Sequence, residues 1–383
     1  MKILFVTPSY KPAYIYGGPT ISVSQLAEAL VGIGYSVTVY TTTANGTAEL
    51  DVPVAAPTGI NGVAVHYFKR VTGDPTHISP ALWRQLWKTH HQYDIIHLQS
   101  WWNLLILGSA LLCKWSGRKY IVSPRGMLGA YSFQHQHGFP KKVLHAVLGK
   151  RLLKSSVLHA TTRLEWNDCM QVYDRWQGFI EHNLVPLPPA QDEPVPPGEP
   201  AEFTIGFLSR VDPKKGMELL LRALATVSFP YRLCIAGTGT PTYMDSLKAL
   251  AAELEISDRI EWCGWKAGAE KLRFLKRISL FALPSYNENF AIAVTEALAM
   301  GTPVLVSENV GLADYVLEKG LGWVCRSDVN SIACKLTEIF HSREERLRVR
   351  QIAPRRITED FNKERLAARY ATAYHHLLTG PPG

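Results

Sequence analysis

Apolar positions in this chain gather into short runs separated by amphipathic stretches with helical spacing. In the first half the runs are "ILFVTPS" (3–9), "SVTVYTTT" (36–43), "VAVHYF" (63–68), "DIIHLQ" (94–99), "YIVSP" (120–124) and "SVLHATT" (156–162). The second half repeats the scheme with "FTIGFLS" (203–209), "YRLCIAG" (231–237), "RIEWCGW" (259–265), "SLFALPS" (279–285), "TPVLVSE" (302–308) and "GWVCRS" (322–327). Each has strand length and strand composition. Patterns such as "SVSQLAEALVGIG" between them read as helices. Strands alternating with helices predict parallel sheets covered on both faces. The expected fold class is α/β, with two doubly wound Rossmann-like domains facing across a cleft.

The chain has 383 residues, beyond the roughly 250 to 300 at which one core stops growing. The stretch "PLPPAQDEPVPPGEP" (186–200) is rich in Pro and acidic residues and reads as a linker. The expected division is 1–185 as the first domain, 186–200 as the linker and 201–359 as the second domain.

The formal charge of +8 favours phosphorylated, nucleic-acid or anionic-membrane partners. The chain shows no zinc-finger spacing, RNA-binding aromatic signature or basic heptad region, so no nucleic-acid partner is expected. The six cysteines lack C-x-x-C spacing and read as reduced, buried small hydrophobes rather than disulfides or zinc ligands. The longest apolar run, Leu104 to Cys113, falls short of a spanning helix. The N-terminus reads as a first strand rather than a signal peptide, so the expected location is cytoplasmic.

In doubly wound sheets ligands bind beyond the carboxyl ends of the strands. After the first strand comes "SYKPAYIYGGPT", where Gly17 and Gly18 permit close backbone approach and Pro19 suits a first helical turn. It is not a G-x-G-x-x-G fingerprint, and a Rossmann dehydrogenase loses its main support. In "RVDPKKG", Arg210, Lys214 and Lys215 crowd a helix start, where the macrodipole already supplies partial positive charge. Arg210 and Lys215 with the bare N–H groups predict a diphosphate site; Lys214 is expected to point to water. In "NENFAIAVTEALAMG" (287–301), Glu288 sits in the loop or first turn of a helix and Glu296 lies eight residues on, about 80° round at about 100° per residue. Ala293, Val294, Ala297 and Leu298 surround Glu296, a poor setting for an unpaired charge, and a polyhydroxyl ligand would satisfy it.

These elements, with "CIAGTG" (Gly237, Gly239) and "EWCGW" (Gly264), occur in the order found in retaining nucleotide-sugar glycosyltransferases of the GT-B fold, and the chain resembles family 4. The resemblance covers most of the chain, from the Gly-Gly loop and "LAEALVGIGYSVTVYTT" to "TEDFNKERLAARYATAYHHLL", which resembles the family's terminal helix (360–383) crossing back onto the first domain. It implies that Arg210 and Lys215 hold the donor diphosphate and stabilise the leaving group. It further implies that Glu288 contacts the donor sugar and Glu296 the ribose. Backbone N–H groups of Asn289, Phe290 and Ala291 would meet sugar or phosphate, Gly17 and Gly18 would close over the diphosphate, and Trp265 and Lys266 would border the base. The implied donor is a UDP-sugar such as UDP-glucose and the acceptor a glycan or lipid-linked glycan. The leaving phosphate would take the acceptor proton, with no protein nucleophile.

The chain departs from the family at Asn289 and Ala291, where Gly is common, and at "SPRGML", where many relatives carry His and this chain has Arg125. A guanidinium cannot act as a general base, so Arg125 is expected to bind an anion, either donor phosphate or an acidic group of the acceptor. His97, at a strand end, is the other acceptor-side candidate. No D-x-D occurs, so no metal or other cofactor is expected, and His135 and His137 read as surface. "FPKKVLHAVLGKRLLKSS" (139–156) mixes aliphatic and basic residues and predicts weak, salt-sensitive contact with anionic membranes. Alternatives are an epimerase of the same fold and a non-catalytic sugar-nucleotide-binding module.

Overall fold

The computed structural model describes residues 1–54, 56–129, 148–188 and 202–380. The expected surface histidines His135 and His137, the first half of the 139–156 stretch and most of the 186–200 linker lie outside the described residues. The chain divides into Met1–Pro186 with Phe361–Gly383, and Leu187–Asp360.

The first unit is built on one sheet with the strands β1 (Lys2–Val6), β2 (Ser36–Thr42), β5 (Thr58–Ile60), β6 (Val63–Phe68), β7 (Ile95–Gln99), β8 (Tyr120–Ser123), β9 (Ser156–Ala160) and β10 (Gly178–Ile180). Their order is β10-β9-β8-β7-β1-β2-β6-β5. All neighbours are parallel except β5 and β6. A small antiparallel pair, β3 (Ala44–Asn45) and β4 (Ala48–Glu49), stands apart. The continuous apolar reading of β1 follows from its place at the centre, with Ile3 registered against Val37 and Ile95. Helices Pro80–Thr89 and Leu104–Trp115 bury Leu82, Leu86, Leu105 and Ile106 in a core shared with Leu4, Ile96, Val122 and Leu158.

The second unit has β11 (Thr204–Leu208), β12 (Arg232–Ala236), β13 (Ile260–Gly264), β14 (Leu280–Leu283), β15 (Val304–Ser307) and β16 (Gly322–Cys325), all parallel, in the order β13-β12-β11-β14-β15-β16. The six expected runs correspond one to one with these strands. Strand order reverses between β11 and β14, the switch point where doubly wound sheets open a crevice for ligands. Proximity of the loops there constrains two glycines. A Cβ at Gly216 would lie 2.3 Å from the Pro284 carbonyl oxygen, and one at Gly237 1.9 Å from that of Ser209.

The helix Lys363–Thr379, capped by the Asn362 side chain, belongs to the first unit and packs on the helix Gly18–Gly32. Tyr374 and Tyr370 from this helix reach under the sheet. Tyr374 Oη bonds His97 Nδ1 at 2.8 Å, His97 Nε2 meets Ser123 Oγ at 2.6 Å, Ser123 Oγ meets His159 Nδ1 at 2.5 Å, and Tyr370 Oη meets His159 Nε2 at 2.9 Å. All five side chains are buried. His97 is therefore a member of a structural network and not a group presented to an acceptor, which corrects that expectation: a side chain with no exposed surface and both ring nitrogens engaged has nothing left to offer a ligand. Burial, with His159 and Arg125 nearby, holds His97 well below the usual histidine range. Burial and Arg125 push His159 down to about 3.

Candidate functional site

The site at the β11/β14 switch point grows from two loops held together by backbone and side chains. After β11, Asp212 accepts from Lys214 N–H at 3.1 Å and caps the single turn Pro213–Lys215. Gly216, with φ of +66°, then redirects the chain into the helix Met217–Thr226, whose N-terminus has no side-chain cap. After β14, Tyr286 N–H donates to the Lys214 carbonyl at 2.8 Å. Glu288 is fixed through its own backbone, donating to Asn309 O at 3.0 Å and accepting from Gly311 N–H at 2.8 Å. Its carboxylate forms an ion pair with Lys215 Nζ. Burial raises the Glu288 carboxyl, but Lys215, Lys214 and the N–H of Ala291 outweigh it and hold the group below the usual range.

Several expectations change here. Of the two expected placements, loop or first turn, Glu288 takes the loop, four residues before the helix Ile292–Ala299, so no helical angle relates it to Glu296. The N–H of Ala291 is directed at Glu288, as noted, rather than left open for a ligand. Ala291 itself takes a left-handed conformation, φ +69° and ψ 73°, which suits Gly at no cost and an L-residue at about 1 kcal/mol or more. Phe290 and Ala291 are buried and Asn289 is half-buried.

Glu296 sits inside that helix and is buried, but it is not unpaired. Lys271, from the helix Gly268–Arg277, forms an ion pair with it. The charge expected to be satisfied by a polyhydroxyl ligand thus already has a protein partner; the sequence signal for Lys271 was the amphipathic pattern of "GAEKLRFLKR", which places a lysine on an otherwise ordinary helix. Burial raises the Glu296 carboxyl above its usual range, and Lys271 only partly offsets this.

Lys214 also differs from expectation. It is half-buried, and burial together with Lys215 lowers its pKa; the tight turn that Asp212 caps keeps it beside the other cations instead of in bulk water. Arg210 is exposed and, among the described residues, makes no ion pair. Gly237 and Gly239 line the neighbouring β12 loop, and a Cβ on Gly239 would come 2.2 Å from Val211 O. Both are needed to bring that loop against the Arg210 loop, where Val211 N–H donates to Thr238 O at 2.9 Å. Trp265, 60% exposed, and the half-buried Lys266 follow the edge strand β13. In the first unit Gly17, φ +65°, caps the helix Gly18–Gly32, which Gly18 and Pro19 open without a side-chain cap.

Two family models match. One, described as glycosyl transferases group 1, covers residues 191–356; the other, a glycosyl transferase 4-like domain, covers 17–170. The chain belongs to the GT-B glycosyltransferases and is family 4-like. The chain is 35% identical over 117 residues to a D-inositol 3-phosphate glycosyltransferase of Mycobacterium sp. (strain KMS), a match that takes in 30% of this chain and only 26% of that protein. A D-inositol 3-phosphate glycosyltransferase of Corynebacterium urealyticum is 25% identical over 402 residues, covering 95% of this chain and 92% of the relative. Among solved structures, HepE of Anabaena in complex with UDP superposes with a TM-score of 0.72 at 18% identity, over 97% of this chain and 99% of that one; HepE has also been solved with UDP-glucose. At that identity the likeness speaks for the fold.

Proposed function

We propose that the protein is a retaining, metal-independent hexosyltransferase that moves the sugar of a UDP-sugar such as UDP-glucose to a glycan or lipid-linked glycan acceptor, in the cytoplasm, for envelope or extracellular polysaccharide synthesis. The observation that carries this reading is the Lys215–Glu288 ion pair at the switch point, beside the uncapped N-terminus of the helix Met217–Thr226 and the cations Lys214 and Arg210. Positive side chains gathered where a helix already presents bare N–H groups suit a diphosphate. As the glycosidic bond to phosphate breaks, the leaving diphosphate gains negative charge, and preorganised cations stabilise that charge without a metal. Lys215 would exchange part of its contact with Glu288 for the phosphate. Glu288, left beside the sugar, would stabilise positive character at the anomeric carbon. Glu296 would accept from the ribose hydroxyls and Lys271 would hold it in place. No helix among the described residues is long and apolar enough to cross a membrane, and contact with an anionic membrane would be peripheral.

The test is UDP release from UDP-glucose with trial acceptors, in buffer and with excess chelator. Turnover is expected to persist under chelation; activity abolished by the chelator and restored by manganese would overturn the metal-independent scheme. Complete absence of UDP release, with and without acceptor, would favour a binding module.

The two glutamates separate further. Glu296→Ala is expected to weaken UDP and UDP-sugar alike by roughly ten- to a hundredfold, the cost of a charged hydrogen bond. Glu288→Gln releases Lys215, so UDP binding is expected to be no weaker while kcat falls. Calorimetry on both variants with UDP decides it: equal weakening in the two would reverse the assignment.

A further inference from the structure

At the carboxyl ends of β7 and β8 the first unit holds a guanidinium that no ion pair among the described residues neutralises. Arg125 takes a left-handed conformation, φ +56°, two residues beyond β8. Its Nε and Nη2 donate to Gln99 Oε1 at 3.0 and 2.8 Å, and its Nη1 donates to Ser22 Oγ at 3.0 Å and to Asn183 Oδ1. All these acceptors are neutral. The nearby carboxylate, Glu165, is taken up by Gly126 N–H at 2.7 Å and by the N–H and hydroxyl of Thr161, each at 2.7 Å. Four of the five guanidinium donors are thus used, and one on Nη2 remains.

A second observation is independent of the first. Gln99, the last residue of β7, is 1% exposed, and its Nε2 has no hydrogen-bond partner among the described residues. The two bonds from Arg125 fix which end of the amide is oxygen, so the unpartnered end is a donor. A buried donor without a partner is costly unless a ligand supplies the acceptor. A cation held by neutral groups, one spare guanidinium N–H and one spare amide N–H form a set with donors only.

We propose that Arg125 and Gln99 form an oxyanion subsite for the acceptor, so that the acceptor carries a phosphate or carboxylate group recognised by the first unit. This rests on the glycosyltransferase reading for the word acceptor, while the anion site itself stands on the geometry. Phosphate and carboxylate share the needed chemistry, a fork of oxygens that accepts from a guanidinium edge and an adjacent N–H. Arg suits this where the His of many relatives would not, because its charge is permanent and its donors are planar.

The experiment uses the full chain saturated with UDP, so that anions do not report on the donor site, and titrates glucose, glucose 6-phosphate and glucuronate by calorimetry. At least one of the anionic sugars is expected to bind roughly ten- to a hundredfold more tightly than glucose. Which one does identifies the group as phosphate or carboxylate. Arg125→Gln is expected to remove the preference, with a thermal melt to show that it is folded. Gln99→Glu provides a second route, because it supplies an internal counter-ion to Arg125 and converts the spare donor to an acceptor; it too is expected to abolish the preference. Equal or undetectable binding of the three sugars to the wild type, or a preference that survives Gln99→Glu, would overturn the proposal. Titration of UDP alone into the wild type reports on the donor reading separately: loss of UDP binding with a retained anionic preference would sink that reading and leave the anion site standing.

Discussion

Lys215→Ala is expected to lower kcat by on the order of a hundredfold or more, as when a preorganised donor to developing charge is removed, and to lower folding stability as well. The stability effect comes from Glu288. Lys215 and Glu288 have side chains only 9% and 19% exposed, and breaking a largely buried pair from one side leaves the other charge without compensation, at about 3 kcal/mol. The two effects can be separated. Adding Glu288→Gln to Lys215→Ala removes the orphaned charge and is expected to restore much of the melting temperature without restoring the rate. Arg210→Ala gives the complementary case: an exposed cation with no ion pair among the described residues, whose loss is expected to slow turnover and leave the melt unmoved. Initial rates and thermal melts on the three variants check this. A rate near that of the wild type in Lys215→Ala would remove that residue from the mechanism.

Acidification is expected to loosen the first unit before the second. His97 and His159 are buried within one hydrogen-bonded network, with folded pKa values depressed by burial, His159 to about 3. In the unfolded chain each titrates near the ordinary value of about 6.5. The unfolded state therefore binds more protons as the pH falls, so the stability tied to these groups is complete above about pH 6.5 and lost progressively below it. Both histidines act in the same direction, and the loss deepens as the pH falls from about 6.5 toward the folded value of His159, about 3. Glu288, whose pKa is lowered, adds an acid-labile contribution in the second unit only as the pH falls below the normal carboxylate range. Hydrogen exchange of the β7, β8 and β9 amides at neutral and mildly acidic pH, in the wild type and in His159→Gln, measures the effect. Equal protection at both pH values would rule it out.

How much of this was legible in the sequence depends on whether the cause was local. The central strands were readable because a parallel strand covered on both faces must be apolar where it is covered, as β1 is from Ile3 to Val6 and β14 is from Leu280 to Leu283. The short strands β5 and β10 carry half-exposed and exposed residues and so leave no such run. Arg210, Lys215 and Glu288 stood out because they crowd loops that follow strands and precede helices. That Glu296 is paired with Lys271 could not be read from spacing, since it depends on two helices packing side by side. The burial of His97 is likewise tertiary: in the sequence it reads as a strand-end histidine, but it lies in the middle of β7, and residues far along the chain, Tyr370 and Tyr374, close over it. Lys214 and Lys215 are neighbours in the sequence, and only the capped turn gives one the ion pair and the other a desolvated position.

The placement of the helix Lys363–Thr379 in the first unit has a consequence for synthesis. The ribosome makes β1 to β10 first, yet the tyrosines that complete the His97–Ser123–His159 network belong to the helix Lys363–Thr379, with the whole second unit in between. At about 5–20 residues per second, the emerging first unit waits roughly ten to thirty-five seconds with two histidines lacking their tyrosine partners. During that interval the second unit, continuous in the chain, can finish folding. The order of completion is thus the reverse of the order of emergence, and the first unit reaches its final stability only after the helix Lys363–Thr379 has emerged.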